Sequence, residues 1–183
     1  HLNTNNISES IKRISKIIFA LKNYAHNTQG EEMSEVRLEE GIEDILILHN
    51  NSLKQGIEVL RDYESLGAIK CFPDKLNQVW SNLIQNAIHA MNYNGILTVK
   101  LYSKGNYQVV AISDNGSGIP ANLQKDIFKP LFTTKSQGEG TGLGLDIVKK
   151  MIESHKGKIE LESEEEVGTT FYVYIPQEGE TNE

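Results

Sequence analysis

The chain has 183 residues, 38% apolar and 23% charged, which suits one ordinary globular domain plus an extra element. Its formal charge of -7 runs against a non-specific nucleic-acid binder, which neutralises phosphates with clustered Lys and Arg. A single cysteine, Cys71, excludes an internal disulfide and a CxxC metal site, and no apolar run approaches the ~20 residues of a membrane span.

From the N-terminus, Ile7, Ile11, Ile14, Ile18, Leu21 and Ala25 recur at alternating steps of four and three. This heptad spacing predicts a helix with an apolar seam, buried either against its own domain or in an inter-chain bundle. Residues 26–35 are polar, contain Gly30 and read as a linker. Residues 36–38 read as a short strand, and 39–53, with Ile42, Ile45, Leu46 and Leu53, as a helix. Residues 57–63 and 68–72 read as two short strands. Cys71 lies in the second, where an apolar run predicts a buried thiol and suits a reducing compartment. Pro73-Asp74 then opens a strong helix, with proline where its missing N–H costs little.

Residues 96–102 and 107–112 alternate and predict a hairpin around Lys104-Gly105-Asn106. Residues 114–141 read mostly as loop, with a short helix near 123–128. A helix over 143–154 and strands over 158–163 and 169–175 complete the chain, with Glu164-Glu165-Glu166 as a solvated turn. This order predicts an α+β fold, a two-layer α/β sandwich whose mostly antiparallel sheet is covered on one face by helices. The expected divisions are 1–30 for the first helix and linker, 31–177 for the folded domain, and 178–183 for a loose polar tail.

Two features carry chemistry. On the helix that follows Pro73, a broad apolar arc runs from Leu76 through Val79, Trp80, Leu83, Ile84, Ala87, Ile88 and Ala90 to Met91. Asn82, Asn86, His89 and Tyr93 share a narrow sector opposite. A plain exposed face would carry Lys and Glu, which are better helix formers. The sector is either a polar surface or a set of amide oxygens offered to a hard cation such as Mg²⁺. Second, six of the fifteen glycines lie between positions 116 and 144. One cluster, Asp114-Asn115-Gly116-Ser117-Gly118-Ile119-Pro120, follows a predicted strand. The other, Gly138-Glu139-Gly140-Thr141-Gly142-Leu143-Gly144-Leu145, precedes a predicted helix. Either is a flexible turn or a ligand loop. N–H groups at a helix N-terminus lack intrahelical partners and favour anions, so the second cluster is a candidate phosphate cradle. Neither matches a Walker A loop or a dinucleotide fingerprint. A desolvated Asp114 at a strand end can accept a hydrogen bond from an exocyclic amine such as that of adenine.

Together these segments resemble the ATP-binding domain of sensor histidine kinases, whose superfamily includes DNA gyrase, heat-shock ATPase chaperones and mismatch-repair ATPases. Asn82-Leu83-Ile84-Gln85-Asn86-Ala87 is similar to the family's asparagine box, and the two glycine clusters to its two glycine boxes. Ile127-Phe128-Lys129-Pro130-Leu131-Phe132-Thr133-Thr134-Lys135 is similar to its phenylalanine box, and Gly168-Thr169-Thr170-Phe171 to its closing strand. The likeness covers residues 36–176 and implies the Bergerat-type ATP-binding fold, with ATP and Mg²⁺ as ligands.

Position by position, the resemblance implies that Asn86 binds Mg²⁺ and that Asn82 sits near the phosphates, where ATPase relatives carry a water-activating glutamate. His89 and the neighbouring Ala90 would approach the phosphates or sugar. Asp114 would read the adenine amine with Thr169 supporting it through water, beside Gly116, Gly118 and Ile119. Residues 121–141 would form a lid, Lys135 would meet the terminal phosphate, and Gly140, Thr141, Gly142, Leu143, Gly144 and Leu145 would hold the others. Asn82, Asn86 and Lys135 are thus the candidate catalytic residues.

The stretch from Ile11 to Tyr24 resembles the second helix of the family's dimerisation and phosphoacceptor domain. It implies a homodimer through a four-helix bundle and a response-regulator receiver domain as partner. No nucleic-acid or membrane contact is expected of this stretch of protein. The location expected is cytoplasmic, with any sensor or membrane anchor of the parent upstream. The His-Glu/Asp…Pro phosphoacceptor box is not found, so the acceptor is expected upstream too. Lys129 replaces a commonly acidic residue, and Lys156 stands where glycine is common. The competing readings are a nucleotide-binding regulatory module and a serine kinase of the anti-sigma type, which lacks the bundle helix.

Overall fold

The computed structural model describes residues 32–133 and 142–177. The heptad helix and the tail after residue 177 lie outside the described residues. In chain order the elements are β1 (Ser34–Val36), α1 (Leu38–Leu48), α2 (Asn50–Leu53), β2 (Ile57–Tyr63), β3 (Ile69–Cys71), α3 (Pro73–Ala90), β4 (Gly95–Lys104), β5 (Tyr107–Asp114), α4 (Gly144–Ser154), β6 (Lys158–Glu164) and β7 (Gly168–Pro176).

Five strands form one sheet in the order β2-β4-β5-β7-β6, and β1 pairs with β3 in a separate ribbon. Only the β2–β4 pair of the main sheet is parallel. That pair needs a long crossover, and β3 with α3 supplies it. The alternation of side chains across a strand decides the layers. Leu97, Val99 and Leu101 of β4, Val110 and Ile112 of β5, and Phe171, Val173 and Ile175 of β7 are buried on one face. There they join Leu38, Ile42, Trp80, Ile84, Val148 and Ile152 from α1, α3 and α4 in a single core. Thr98, Ser113, Thr170 and Glu162 line clefts on the other face, which no helix covers among the described residues. The expected two-layer sandwich is therefore the fold observed.

Helix boundaries follow local chemistry. Helix α1 carries Glu39 and Glu40 in its first turn, where the dipole favours negative charge. Glu43, on α1, accepts hydrogen bonds from Arg61 Nε at 2.7 Å and Tyr63 Oη at 2.8 Å, tying the helix to β2. The Arg61 guanidinium and Tyr63 hydroxyl hold the Glu43 carboxyl below its usual range, although partial burial opposes them. Helix α3 opens on Pro73, and the Phe72 N–H before it donates to Nε2 of buried His155 at 3.0 Å. His155 Nδ1 lies 2.7 Å from the Met151 carbonyl. Because Nε2 accepts, Nδ1 must carry the proton, so His155 is neutral and clamps the end of α4 to the start of α3.

Three expectations need correction. Residues 36–38 are not a strand, since Leu38 already begins α1 and the strand is Ser34–Val36. The helix expected over 39–53 breaks at His49 into α1 and α2. The short helix expected near 123–128 is a chain of turns, with Leu123, Asp126, Lys129 and Phe132 N–H groups donating three residues back. A closing bond only at every third residue makes consecutive turns, not the continuous ladder of a helix.

Candidate functional site

Helix α3 buries Leu76, Val79, Trp80, Leu83, Ile84, Ala87 and Ile88 against the sheet and its neighbouring helices. Its opposite sector, Asn82, Asn86 and His89, is half-buried. Ala90, placed on the apolar arc, is half-buried too, and Tyr93 lies beyond the helix with a φ of 62°. The His89 and Tyr93 rings meet edge to face, 6.1 Å between centroids. Asn82 and Asn86 are one turn apart, so their amides project together.

The N-terminus of α4 lies against this amide face. A Cβ placed on Gly144 would come 3.4 Å from Asn82 Oδ1. Leu143 stands at the N-cap of α4, and its apolar side chain has no oxygen to offer the first turn. Gly142, just before, has a φ of 67°, and a Cβ there would fall 2.6 Å from the Leu131 carbonyl oxygen. Only glycine fits that conformation and that approach. Gly142 thereby brings together the chain on either side of residues 134–141. Lys135, Gly140 and Thr141 lie outside the described residues. Ile127 is buried and Phe128 stacks edge to face on Phe171 at 6.4 Å, so the phenylalanine-box segment is anchored in the core. Lys129 forms an ion pair with Asp126 at 2.6 Å.

The third piece is a cross-strand row at the end of the sheet. Leu97 pairs with Asp114, Asp114 with Thr169, and Thr169 with Ser163. One register step inward, the row is Val99, Ile112, Phe171 and Leu161, all apolar. Polar side chains thus replace the core where it ends beside α3. Asp114 is 8% exposed and Thr169 5%. Asp114 Oδ1 accepts the Gly116 N–H at 2.9 Å. Burial pushes the Asp114 carboxyl up to about 6, against the opposing pull of the Gly116 and Thr169 N–H groups. The group is therefore an acceptor held in a dry place, with lone pairs left beyond its two main-chain donors for a ligand that brings an N–H.

The first glycine cluster docks this row onto α3. Ser117 N–H donates to the Ala90 carbonyl at 3.1 Å, and Glu166 N–H to the Ser117 carbonyl at 2.8 Å. Gly118 has a φ of 65°, with the Glu164 carbonyl where a Cβ would stand. Asn115 serves the scaffold, its Oδ1 accepting the Ile96 N–H at 2.7 Å. Among the described residues, Asn82, Asn86, His89, Ala90, Asp114, Gly116, Gly118, Ile119, Gly142, Leu143, Gly144, Leu145 and Thr169 therefore belong to three adjoining pieces: the amide face of α3, the start of α4, and the end of the sheet. A cleft of about 550 Å³ also opens at the sheet's end, lined by Asp114, Ser163 and Thr169 together with Thr98, Ser113 and Thr170 of the uncovered face, and by no residue of α3.

Two residues were missed in sequence. Ser163 Oγ touches Ile119 N, Gly168 O and Thr169 Oγ1, and Gln124 Nε2 donates to the Ile119 and Ser163 carbonyls at 2.8 and 2.9 Å. The register of the last hairpin was the available signal for Ser163, since closing it on the acidic turn sets Ser163 opposite Thr169.

Residues 72–179 match the family described as histidine kinase-, DNA gyrase B-, and HSP90-like ATPase. The chain belongs to this family. It carries a histidine-kinase-type ATP-binding catalytic domain. The nucleotide-free catalytic domain of histidine kinase ThkA is 34% identical with a TM-score of 0.73, over 80% of this chain and 96% of that one. ThkA in complex with response regulator protein TrrA is 29% identical with a TM-score of 0.76, over 92% of this chain and 49% of that one. The sensor histidine kinase ZraS of Escherichia coli (strain K12) is 41% identical over 113 residues, which is 62% of this chain and 24% of ZraS. The chain spans about a quarter of the length of the curated relatives it matches. Among the described residues, no helix of this kinase-type domain is long and apolar enough to cross a membrane.

Proposed function

We propose that the domain binds Mg-ATP between α3, the start of α4 and the Asp114 row, and presents the terminal phosphate to a histidine on a helical bundle. From there the phosphate passes to an aspartate of a response-regulator receiver domain. The observation that carries the reading is the meeting of three unlike groups on one side of the sheet: the Asn82 amide against Gly144, the glycine-bearing start of α4, and the buried Asp114 carboxyl.

These residues fit a nucleotide. Asp114 offers a desolvated acceptor to the adenine amine, and the α4 N-terminus offers main-chain donors to phosphate oxygens. Among the described residues, no group of three or more His, Cys, Asp and Glu side chains could hold a metal ion. A Mg²⁺ ion would therefore be held jointly by the Asn86 amide oxygen and the phosphates, and when bound would neutralise their charge. Asn82 would orient the phosphates without activating water, because an amide is no base. That favours transfer to a side chain over hydrolysis. His89 and Ala90 would border the sugar and phosphates, Lys135 would meet the terminal phosphate, and Gly140 to Leu145 would cradle the rest. Catalysis is then positioning and charge neutralisation. The stretch from Ile11 to Tyr24 would pair two copies of the chain.

Asn86→Ala tests the core of this reading. By titration calorimetry it should abolish the Mg²⁺-dependent part of ATP binding, and unchanged affinity in Mg²⁺ would remove the assignment. For the whole protein, incubation with labelled ATP should leave phosphate that is acid-labile, as on histidine. Acid-stable label would favour a serine kinase.

A further inference from the structure

The hydroxyl of Ser163 sits at the centre of three contacts, and one assignment of protons makes all three of them hydrogen bonds. Ile119 N lies 2.8 Å from Ser163 Oγ, and an N–H can only donate. The Gly168 carbonyl lies 3.0 Å away and can only accept, so it takes the one proton that Ser163 owns. The Thr169 hydroxyl lies 2.9 Å away. With the Ser163 proton spent on Gly168, Thr169 must give its own proton to Ser163. Thr169 Oγ1 is then left with lone pairs only. Its cross-strand neighbour is Asp114, also an acceptor, and the two face the same side of the sheet.

We propose that Ser163 is a specificity-determining residue for the nucleotide base: by consuming the Thr169 proton it leaves two acceptors side by side, the Asp114 carboxylate and Thr169 Oγ1. This rests on the nucleotide site proposed above. An exocyclic amine has two protons to give such a pair, directly or through one water. A base with a carbonyl at that place, as in guanine, meets two acceptors and is rejected. Gln124 is a positioning residue for the same device. Its two N–H donors hold the Ile119 and Ser163 main chains together at 2.8 and 2.9 Å, which keeps the Ser163 hydroxyl within reach of Ile119 N–H.

Removing the Ser163 hydroxyl frees the Thr169 proton to turn toward the base and donate to a carbonyl. The test measures dissociation constants for ADP and GDP by calorimetry in the same chain. Ser163→Ala should lower the preference for ADP roughly two- to tenfold, the range of one hydrogen bond, with tighter GDP binding contributing. Ser163→Thr keeps one proton and two lone pairs, and should keep the wild-type ratio. In a Thr169→Val background, Ser163→Ala should not change the ratio further, because the group it acts through is gone. If Ser163→Ala weakens both nucleotides equally, or shifts the ratio as much in the Thr169→Val background as with Thr169 in place, Ser163 is only structural and the proposal fails. If Ser163→Ala does not fold, a changed ratio in Ser163→Thr overturns it. Absence of saturable binding of either nucleotide to the wild-type chain would instead remove the site reading itself, and this inference with it.

Discussion

Acidification should weaken adenine-nucleotide binding through Asp114 before it unfolds the domain. Burial pushes the free carboxyl up to about 6, and an adenine amine bonds more strongly to the ionised carboxylate than to the neutral acid, whose carbonyl oxygen is a weaker acceptor. At about pH 7.5 nearly every molecule carries the ionised carboxylate, and at about pH 5 roughly one in ten does. Affinity should therefore fall between these values, by up to about tenfold, or about 1.4 kcal/mol. The nucleotide's own groups also titrate, so the assay is the ratio of ADP dissociation constants for wild type and Asp114→Asn across this range. The Asn amide oxygen still accepts but carries no charge, which cancels the nucleotide's contribution. A ratio that stays flat from about pH 5 to pH 7.5 would refute the reasoning. The same shift predicts stability of opposite sense. A raised native pKa means that the Asp114 contribution is present below about pH 4 and is lost as pH rises through about 6. Without nucleotide, Asp114→Asn should melt above wild type near pH 7.5 and level with it near pH 4.

Lys156 occupies the left-handed position after α4, with a φ of 55°, and its N–H and that of Gly157 close the helix end on Glu153 and Ile152. A non-glycine residue there costs about 1–2 kcal/mol, against about 0.5–1 for the extra unfolded-state freedom of glycine. Lys156→Gly should thus stabilise by about 0.5–1 kcal/mol, read as a Tm rise of about 1–4 °C; a lower Tm would contradict this. Gly118→Ala should cost about 2 kcal/mol and at least about tenfold in ADP affinity, since the new Cβ meets the Glu164 carbonyl as well as the left-handed strain. Wild-type affinity in that variant would show that the 115–120 loop does not border the base.

Much of this domain is legible without coordinates because its signals are local. The apolar arc and amide sector of α3 repeat every turn of a helix, and glycines bracket α4 and follow β5 where the backbone must bend or come close. Other features escape a local pattern. Around residues 123–128 the composition permits a helix, but anchoring Ile127 and Phe128 in the core pulls the chain into separate turns. Lys156 could be noticed as an odd residue at a glycine position, yet its left-handed backbone is visible only in the folded helix end.

Residue type and spacing alone determined that an amide-bearing helix and two glycine loops occur in this order, because those patterns depend on neighbours a few positions away. The tertiary structure alone decided that Asp114, Thr169 and Ser163 stand in one row, and which way their protons point. Strand register and hydrogen-bond direction depend on partners far along the chain, 44 residues apart for Ile119 and Ser163. No local pattern encodes such a pairing.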